Sequence, residues 1–129
     1  MTELEQCKSV LADLEKAGGA DPRLDHAISE IFSHLNSDGL PTGFLQQFRV
    51  VWQKTPWTAS LDATIALVER VLPGWEWIRK SPGTMTVYDP DIPEKTWAVH
   101  YDARGATPPL ALLTALFRAK IAQMEKADG

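Results

Sequence analysis

Apolar residues recur with a helical period in the first part of the chain. Between Leu4 and Leu14 they are spaced three and four residues apart, which places them on one face of a helix. Thr2 and Glu5 form a capping box in front of this segment, since each side chain can satisfy a free backbone amide of the other. Gly18-Gly19 is expected to end the helix in the left-handed conformation, which costs glycine little.

A second helix is predicted from Asp21, which suits an N-cap, and Pro22, which suits the first helical position. Its apolar face consists of Leu24, Ala27, Ile28, Ile31, Phe32 and Leu35. The two segments together predict an N-terminal helical hairpin, followed by a polar loop over residues 36–43. Residues 44–53 fit helical spacing, but residues 49–52 alone also fit a strand, so both assignments stay open.

The second half of the chain predicts an α-β-β-β-α unit over residues 57–126. Ser60 is expected to cap its first helix, which Pro73-Gly74 then stops. Alternating patterns predict three strands, over residues 75–80, 84–88 and 96–101. Their connections are short, and short connections join antiparallel neighbours, so the strands should form a meander. Thr107 is expected to cap the last helix, with Pro108 at its first position.

The strands and the last helix show one-sided patterns. Trp75 and Trp77 alternate with Glu76 and Ile78, so the two pairs are expected on opposite faces of the sheet. The last helix is expected to bury a single stripe, formed by Leu110, Leu113, Leu116, Phe117, Ile121 and Met124. The predicted fold class is therefore α+β, an antiparallel three-stranded meander sheet packed with helices like an α/β/α sandwich and preceded by the helical hairpin.

Length and composition predict one globular domain over residues 1–129, of which residues 1–53 are mainly helical. A net charge of −4 argues against binding to a nucleic-acid backbone, which requires a basic surface. The single cysteine, Cys7, cannot form an intramolecular disulfide, and its place on an apolar helix face predicts a buried thiol. No apolar run reaches the ~20 residues that span a bilayer, and the acidic N-terminus differs from a signal peptide. These features predict a cytoplasmic protein without membrane contact.

Two sequence blocks resemble a known family. The first is Thr58-Ala59-Ser60-Leu61-Asp62-Ala63 running into Leu67-Val68 and Pro73-Gly74-Trp75. The second is Ala103-Arg104-Gly105-Ala106-Thr107-Pro108 running into Leu110-Ala111-Leu112. Their order and separation are similar to those of the small phage and prophage proteins grouped as the phage ABA sandwich domain, and the similarity covers the second half of the chain. The resemblance implies a three-layer α/β/α arrangement in a phage-borne accessory protein, and it brings no catalytic residues.

Metal, cofactor and nucleophile motifs are absent from the sequence. His26 and His34 lie eight residues apart in one predicted helix, about 12 Å along its axis, which is too far for them to share one ion. The acidic loop over residues 89–94 is stiffened by two prolines and lacks the ligand spacing of a calcium loop. We therefore predict no metal, no cofactor and no catalytic residue.

Aromatic and basic residues around the predicted sheet are the candidate binding residues. Tryptophan and arginine are enriched where proteins bind partners, and aromatic rings also stack on bases, although packing against helices explains most tryptophans here. Arg104 would suit an anion at the start of the last helix, but Pro108 and Pro109 lack the N–H groups that such a site uses. The candidate set is Trp75, Trp77, Arg79, Trp97, His100, Tyr101 and Arg104.

The leading functional hypothesis is a non-catalytic phage or prophage accessory protein that binds a host protein, with a defence or regulatory factor as the preferred target. Two alternatives stay open. A sponge for a nucleotide-like signal would need exposed tryptophans beside Arg79 or Arg104. A small enzyme would need His100 and an acidic neighbour in one cleft, and His100, Asp102 and Arg104 would form a polar pocket at the strand end.

A homodimer is also predicted, because a three-stranded sheet leaves two edge strands unpaired. Glu76 and Lys80 are expected to guard the first edge, whereas residues 96–101 carry only a histidine. The dimer is therefore expected to form through that third strand or through the apolar faces of the helical hairpin. The alternative is a monomer in which residues 44–53 add a fourth strand or a helix covers the edge.

Overall fold

The computed structural model describes residues 2–32, 56–89 and 100–128 of the chain. This part contains four helices and an antiparallel three-stranded sheet, so the predicted α+β class is confirmed. The helices are α1 (Glu3–Lys16), α2 (Pro22–Ile31), α3 (Leu61–Val71) and α4 (Pro108–Asp128). The strands are β1 (Glu76–Ser81), β2 (Thr84–Tyr88) and β3 (His100–Arg104). The predictions for Leu35 and for residues 36–53 lie outside the described residues.

Each helix begins at the residue that the sequence predicts as its cap. In every case a backbone N–H of the first turn donates to the capping side chain, which satisfies a group that the helix itself leaves free. These bonds run from Glu5 to Thr2 Oγ1 (3.2 Å), Arg23 to Asp21 Oδ1 (2.9 Å), Ala63 to Ser60 Oγ (3.1 Å) and Leu110 to Thr107 Oγ1 (3.4 Å). The helix starts are thus fixed by local sequence.

The end of α1 differs from the prediction. The helix stops at Lys16, and its C-cap Ala17 is extended, with φ −68° and ψ 133°. Neither Gly18 nor Gly19 enters the left-handed region, so the predicted glycine cap is wrong. The Ala17 amide instead donates to the Leu14 carbonyl at 3.2 Å, and the chain leaves the helix in an extended form that any residue can adopt.

The sheet is the predicted meander, with strand order β1-β2-β3 and antiparallel pairing throughout. Pro82 and Gly83 make the turn between β1 and β2, and Gly83 has a φ of +80°. A proline followed by a glycine with positive φ is the pattern of a type II turn. Gly74, with a φ of +85°, likewise redirects the chain between α3 and β1.

The third strand extends further than the sequence predicts. Residues 96–99 lie outside the described residues, and β3 continues past Tyr101 as far as Arg104. Pairing with β2 explains the extension, because Arg104 lies opposite Thr84 at the end of the ladder. The Gly105 amide then donates to the Gly83 carbonyl at 3.1 Å. Residues 102–104 are mostly polar, and they form a strand because β2 lies alongside and pairs with them.

Helix α4 is the centre of the core. All residues from 110 to 117 are fully buried, so the predicted single apolar stripe is wrong. The reason is that α4 packs against β2 and β3 and also against α1 and α3. Alanines at 111, 115 and 119 fill the positions between its large residues and let the neighbouring elements approach closely. Each large side chain buried here stabilises the fold by about 1.5–3 kcal/mol.

Gly105 joins β3 to α4 at a point of close approach. A Cβ at this position would lie 2.5 Å from the Ala111 backbone nitrogen and 2.9 Å from its Cα. Backbone atoms cannot move aside as a flexible side chain can, so the contact requires glycine. The strand end therefore lies directly on the first turn of α4.

A polar cluster links α2 to the segment before α3. Thr58 Oγ1 accepts from the Asp21 amide and donates to the Asp25 carboxylate, both at 2.8 Å, and the Thr58 amide donates to the same carboxylate at 2.7 Å. Thr58 is only 1% exposed. We call Asp21, Asp25 and Thr58 the Thr58 cluster. Beside it the Trp57 indole N–H donates to Ser29 Oγ at 2.9 Å, so the buried ring keeps its hydrogen bond.

The N-terminal helices pack as predicted, with α1 against α2 and α1 also against α4. Their buried residues include Cys7, Leu14 and Ile28, each at most 1% exposed. Burial raises the pKa of the Cys7 thiol to about 11, so the group stays protonated and unreactive near neutral pH. Within the described residues no helix is both long and apolar enough to cross a membrane.

Candidate functional site

The sheet has two faces of opposite character. Met85, Val87 and Ala103 lie on the face towards α4 and are at most 3% exposed. The other face, which we call the outer sheet face, carries mostly polar side chains. It consists of Glu76, Ile78, Lys80, Thr84, Thr86, Tyr88, Asp102 and Arg104.

Asp102 holds the centre of the outer sheet face. Its Oδ1 accepts from the Thr86 hydroxyl at 2.6 Å, and its Oδ2 accepts from Lys80 Nζ at 3.4 Å. One carboxylate thereby connects all three strands. The alternation of β1 places Lys80 on this face, two residues after Ile78, and a bulge between Arg79 and Ser81 then shifts the register so that Ser81 pairs with Thr84. The Asp102 side chain remains 44% exposed, so water screens its charge.

A second bond ties the far end of β1 to β2. The Tyr88 hydroxyl donates to Glu76 Oε2 at 2.7 Å, and the two residues lie opposite each other in the ladder. This hydrogen bond, with a smaller contribution from burial and from the Glu76 charge, raises the pKa of Tyr88 above its ordinary value of 10.0. Tyr88 therefore acts as a neutral donor across the physiological range.

Ile78 stands in the middle of these polar groups. Its side chain is 42% exposed, and among the described residues no other large aliphatic or aromatic side chain is as open to solvent. Its cross-strand neighbour is Thr86, which is only 2% exposed. An isolated exposed apolar residue is ordinary on a protein surface, but here it lies among side chains of both charges.

Two exposed arginines of the sheet are free to meet a partner, Arg79 on the same face as Trp77 and Met85, and Arg104 on the outer sheet face. Arg79 and Arg104 are both exposed, and neither forms an ion pair within the described part of the chain. Arg118, by contrast, is occupied: its guanidinium donates to the Asp102 carbonyl at 2.6 Å and to Glu15 at 2.9 Å. The guanidinium of Arg118 thus joins β3 to α1, whereas those of Arg79 and Arg104 link no elements within the described part of the chain.

The candidate residues from the sequence divide between the two faces. Trp75 and Trp77 are half-buried on the α4 side, where Trp75 stacks on Tyr101 with ring centroids 6.2 Å apart. Trp77 lies opposite Val87 on the buried face, whereas Glu76 and Ile78 lie on the outer sheet face, so the predicted alternation is confirmed. Their main role is therefore packing.

The remaining candidates differ in what the structure says of them. His100 occupies the ladder position opposite Tyr88, and its side chain, like all of Trp97, lies outside what the structure describes. Arg104 belongs to β3 and is not part of a loop before the last helix. Gly105, which follows it, lies directly against the backbone of the first turn of α4. Among the described residues, no three metal-ligating side chains converge.

Of the eight residues of the outer sheet face, the candidate set from the sequence contains only Arg104. Asp102 was considered only in the alternative polar pocket with His100 and Arg104. The period-two pattern of β1 and β2 does place alternate residues on this face. The strand register was needed to bring Asp102 opposite Thr86, and β3 was predicted to end before it. A longer third strand in the prediction would have found the cluster.

An open cavity of about 440 Å³ lies between α1 and α2. Lys16 and Arg23 line it together with Asp13 and Asp21, so the two signs of charge balance within it. Asp21 is already engaged in capping α2. This cavity therefore offers no consistent ligand chemistry. In comparisons with known proteins, no family model, no curated protein and no solved structure matches this chain.

Proposed function

We propose that this chain is a non-catalytic accessory protein of the phage or prophage type that acts by binding a host protein in the bacterial cytoplasm. The outer sheet face is the binding surface, and a defence or regulatory factor is the preferred class of target. The phage origin rests on the two sequence blocks similar to the phage ABA sandwich domain. The binding surface rests on the geometry of the sheet.

The exposed side chain of Ile78 is the main observation that supports the proposal. A 42% exposed isoleucine at the middle of an edge strand supplies an apolar contact that water does not favour. Polar side chains on either side, such as Glu76 and Lys80, supply a hydrated rim. Binding surfaces of proteins combine an apolar centre with a polar rim in this way.

Arg104 indicates which chemical group the partner should present. It is exposed on the outer sheet face without an ion pair in the described structure, so it can form bidentate hydrogen bonds to a carboxylate. The partner should therefore present an apolar pocket for Ile78 and an acidic side chain for Arg104. Arginine is among the residues that contribute most to binding energy at interfaces.

Photo-crosslinking in host lysate tests this proposal. A photoreactive residue at position 104 should capture one specific host protein, and the same residue at Lys126, an exposed position on α4, should not. The substitution Arg104→Glu should then abolish capture of that protein by affinity pull-down, because it places two like charges together. The matched control is Lys126→Glu. Equal capture by wild type and the Arg104→Glu variant would contradict the proposal.

A nucleotide-like ligand is the second candidate. Trp77 and Arg79 lie two residues apart on β1, and Arg79 is exposed without an ion pair in the described structure. A ring next to a cation is suited to a base and its phosphate. Trp77 is half-buried and offers only part of its surface. Screening nucleotides by thermal shift separates this candidate from protein binding, since a ligand raises the unfolding temperature.

A further inference from the structure

The free edge of β1 carries a sequence that is complementary to itself. Among the described strands β1 pairs only with β2, so no described residue pairs with the other side of its backbone. Five of its six residues are exposed. The unpaired N–H and C=O groups of such an edge can pair with a further strand.

We propose that the chain forms a homodimer in which β1 pairs antiparallel with β1 of a second copy, with the two-fold axis beside Ile78. In this register Ile78 faces the partner's Ile78. Glu76 faces the partner's Lys80, and Trp77 faces the partner's Arg79. The same contacts recur in reverse on the other side of the axis, as two-fold symmetry requires.

Every pair in this register joins suitable chemistry. The two Ile78 side chains lie side by side at the axis, which shields part of their apolar surface from water, and the pair still lies on the outer sheet face that the host partner would contact. Glu76 and Lys80 bring opposite charges together, and cross-strand pairs of opposite charge stabilise a sheet. The Arg79 guanidinium, which has no ion pair in the described structure, reaches the half-buried Trp77 ring as a cation–π contact.

Neighbouring registers are worse. Moving the axis by one residue shifts the pairing of the two strands by two residues. Such a shift keeps the outer faces of both copies on the same side of the sheet, whereas a shift by one residue does not. Moving the axis to Arg79 places two guanidiniums opposite each other, which repel. Moving it to Trp77 leaves Lys80 opposite Gly74, so the Glu76–Lys80 pairs are lost. The charge pattern of β1 therefore selects the register centred on Ile78.

Charged side chains on an edge strand usually disfavour pairing with other proteins. In the proposed register Glu76 and Lys80 instead favour pairing with a second copy of the same chain. Glu76 already accepts from Tyr88, and Lys80 donates to Asp102. Each keeps further hydrogen-bonding capacity, since a carboxylate has two oxygens and an ammonium group three donors. The described strands of the two copies would form a continuous six-stranded sheet, and its formation does not depend on the proposed host partner.

A charge-swap experiment tests the register. Glu76→Lys gives a chain with lysine at both flanking positions, and Lys80→Glu gives a chain with glutamate at both. Each variant alone should associate about tenfold more weakly than wild type, because like charges face each other twice. An equimolar mixture should form a heterodimer, since every flanking pair is then complementary.

Sedimentation velocity at micromolar concentration provides the measurement. Wild type and the mixture should show twice the chain mass of 14.3 kDa. Each variant alone should shift towards the mass of a single chain. The charge-matched control is Glu69→Lys on the exposed side of α3, which should remain dimeric. Wild type at 14.3 kDa, or a mixture that associates no better than either variant, overturns the proposal. A monomeric wild type that still binds a host protein would leave the proposed function standing.

Discussion

Thr58 and Thr86 make similar hydrogen bonds in very different surroundings. Both are nearly inaccessible to water, at 1% and 2% exposure, and both donate a hydroxyl to an aspartate. Thr58 also accepts from the Asp21 amide, so it joins two segments 37 residues apart. Thr86 bonds to Asp102, whose side chain is 44% exposed.

The comparison separates polar groups that hold the fold from polar groups that are available for binding. In the Thr58 cluster every bond is made within the chain, and loss of one leaves a shielded donor or acceptor unsatisfied. On the outer sheet face water can replace a lost partner, because the acceptor stays hydrated. Side-chain chemistry is nearly the same in the two places, and solvent access makes the difference.

The largest effect is expected from Thr58→Val. The substitution keeps the shape of the side chain, leaves the Asp21 amide without its acceptor and removes one of the two Thr58 donors to Asp25. We expect a loss of about 3 kcal/mol in the free energy of unfolding, measured in urea. The control is Thr114→Val, because the Thr114 hydroxyl donates only to a helical carbonyl, Leu110 O. Equal stability of the Thr58→Val variant and wild type would show that the cluster does not hold the fold.

Thr86→Val should have a smaller effect. It removes one bond to an exposed carboxylate, and valine suits a central strand. We expect a loss of about 1 kcal/mol or less, by the same unfolding measurement. A loss as large as that of Thr58→Val would contradict the comparison. It would show that the Thr86 hydroxyl stabilises the fold as much as the Thr58 hydroxyl does.

The smallest effect concerns the titration of Tyr88. The neutral Tyr88 hydroxyl donates to Glu76, so its pKa is raised, and the stability this gives is present below pH 10.0 and is lost as pH rises through the raised pKa. Glu76→Ala should bring the pKa of Tyr88 down towards 10.0. The tyrosinate absorbance of a Tyr101→Phe background reports Tyr88 alone, since the chain has two tyrosines.

Removal of a distant carboxylate provides the control for that titration. Asp62→Ala on α3 should leave the pKa of Tyr88 where it is in the parent chain. If Glu76→Ala also leaves it unchanged, the Glu76–Tyr88 bond is absent in solution. The outer end of β1 would then be less ordered than the structure shows.

Local sequence rules predicted the elements well. All four N-caps, the turn at Pro82-Gly83 and the alternation of Trp75 with Glu76 depend on residues within a few positions of each other. Their physical causes, a side chain that caps a free amide or a glycine that accepts positive φ, act over a single turn of chain. Arg104 was expected in the loop before the last helix, and only the pairing of β3 with β2 places it in a strand.

The sequence by itself determined the helix starts, the strand alternation and the meander, because these follow from short-range geometry. Packing between distant segments decided that residues 110–117 of α4 are buried on all sides, that β3 continues to Arg104 and that Thr58 meets Asp25. Each of these depends on which distant segment packs alongside. A residue cannot reveal from its neighbours in sequence whether protein or water lies against it, and the free energy of a polar group depends on that environment.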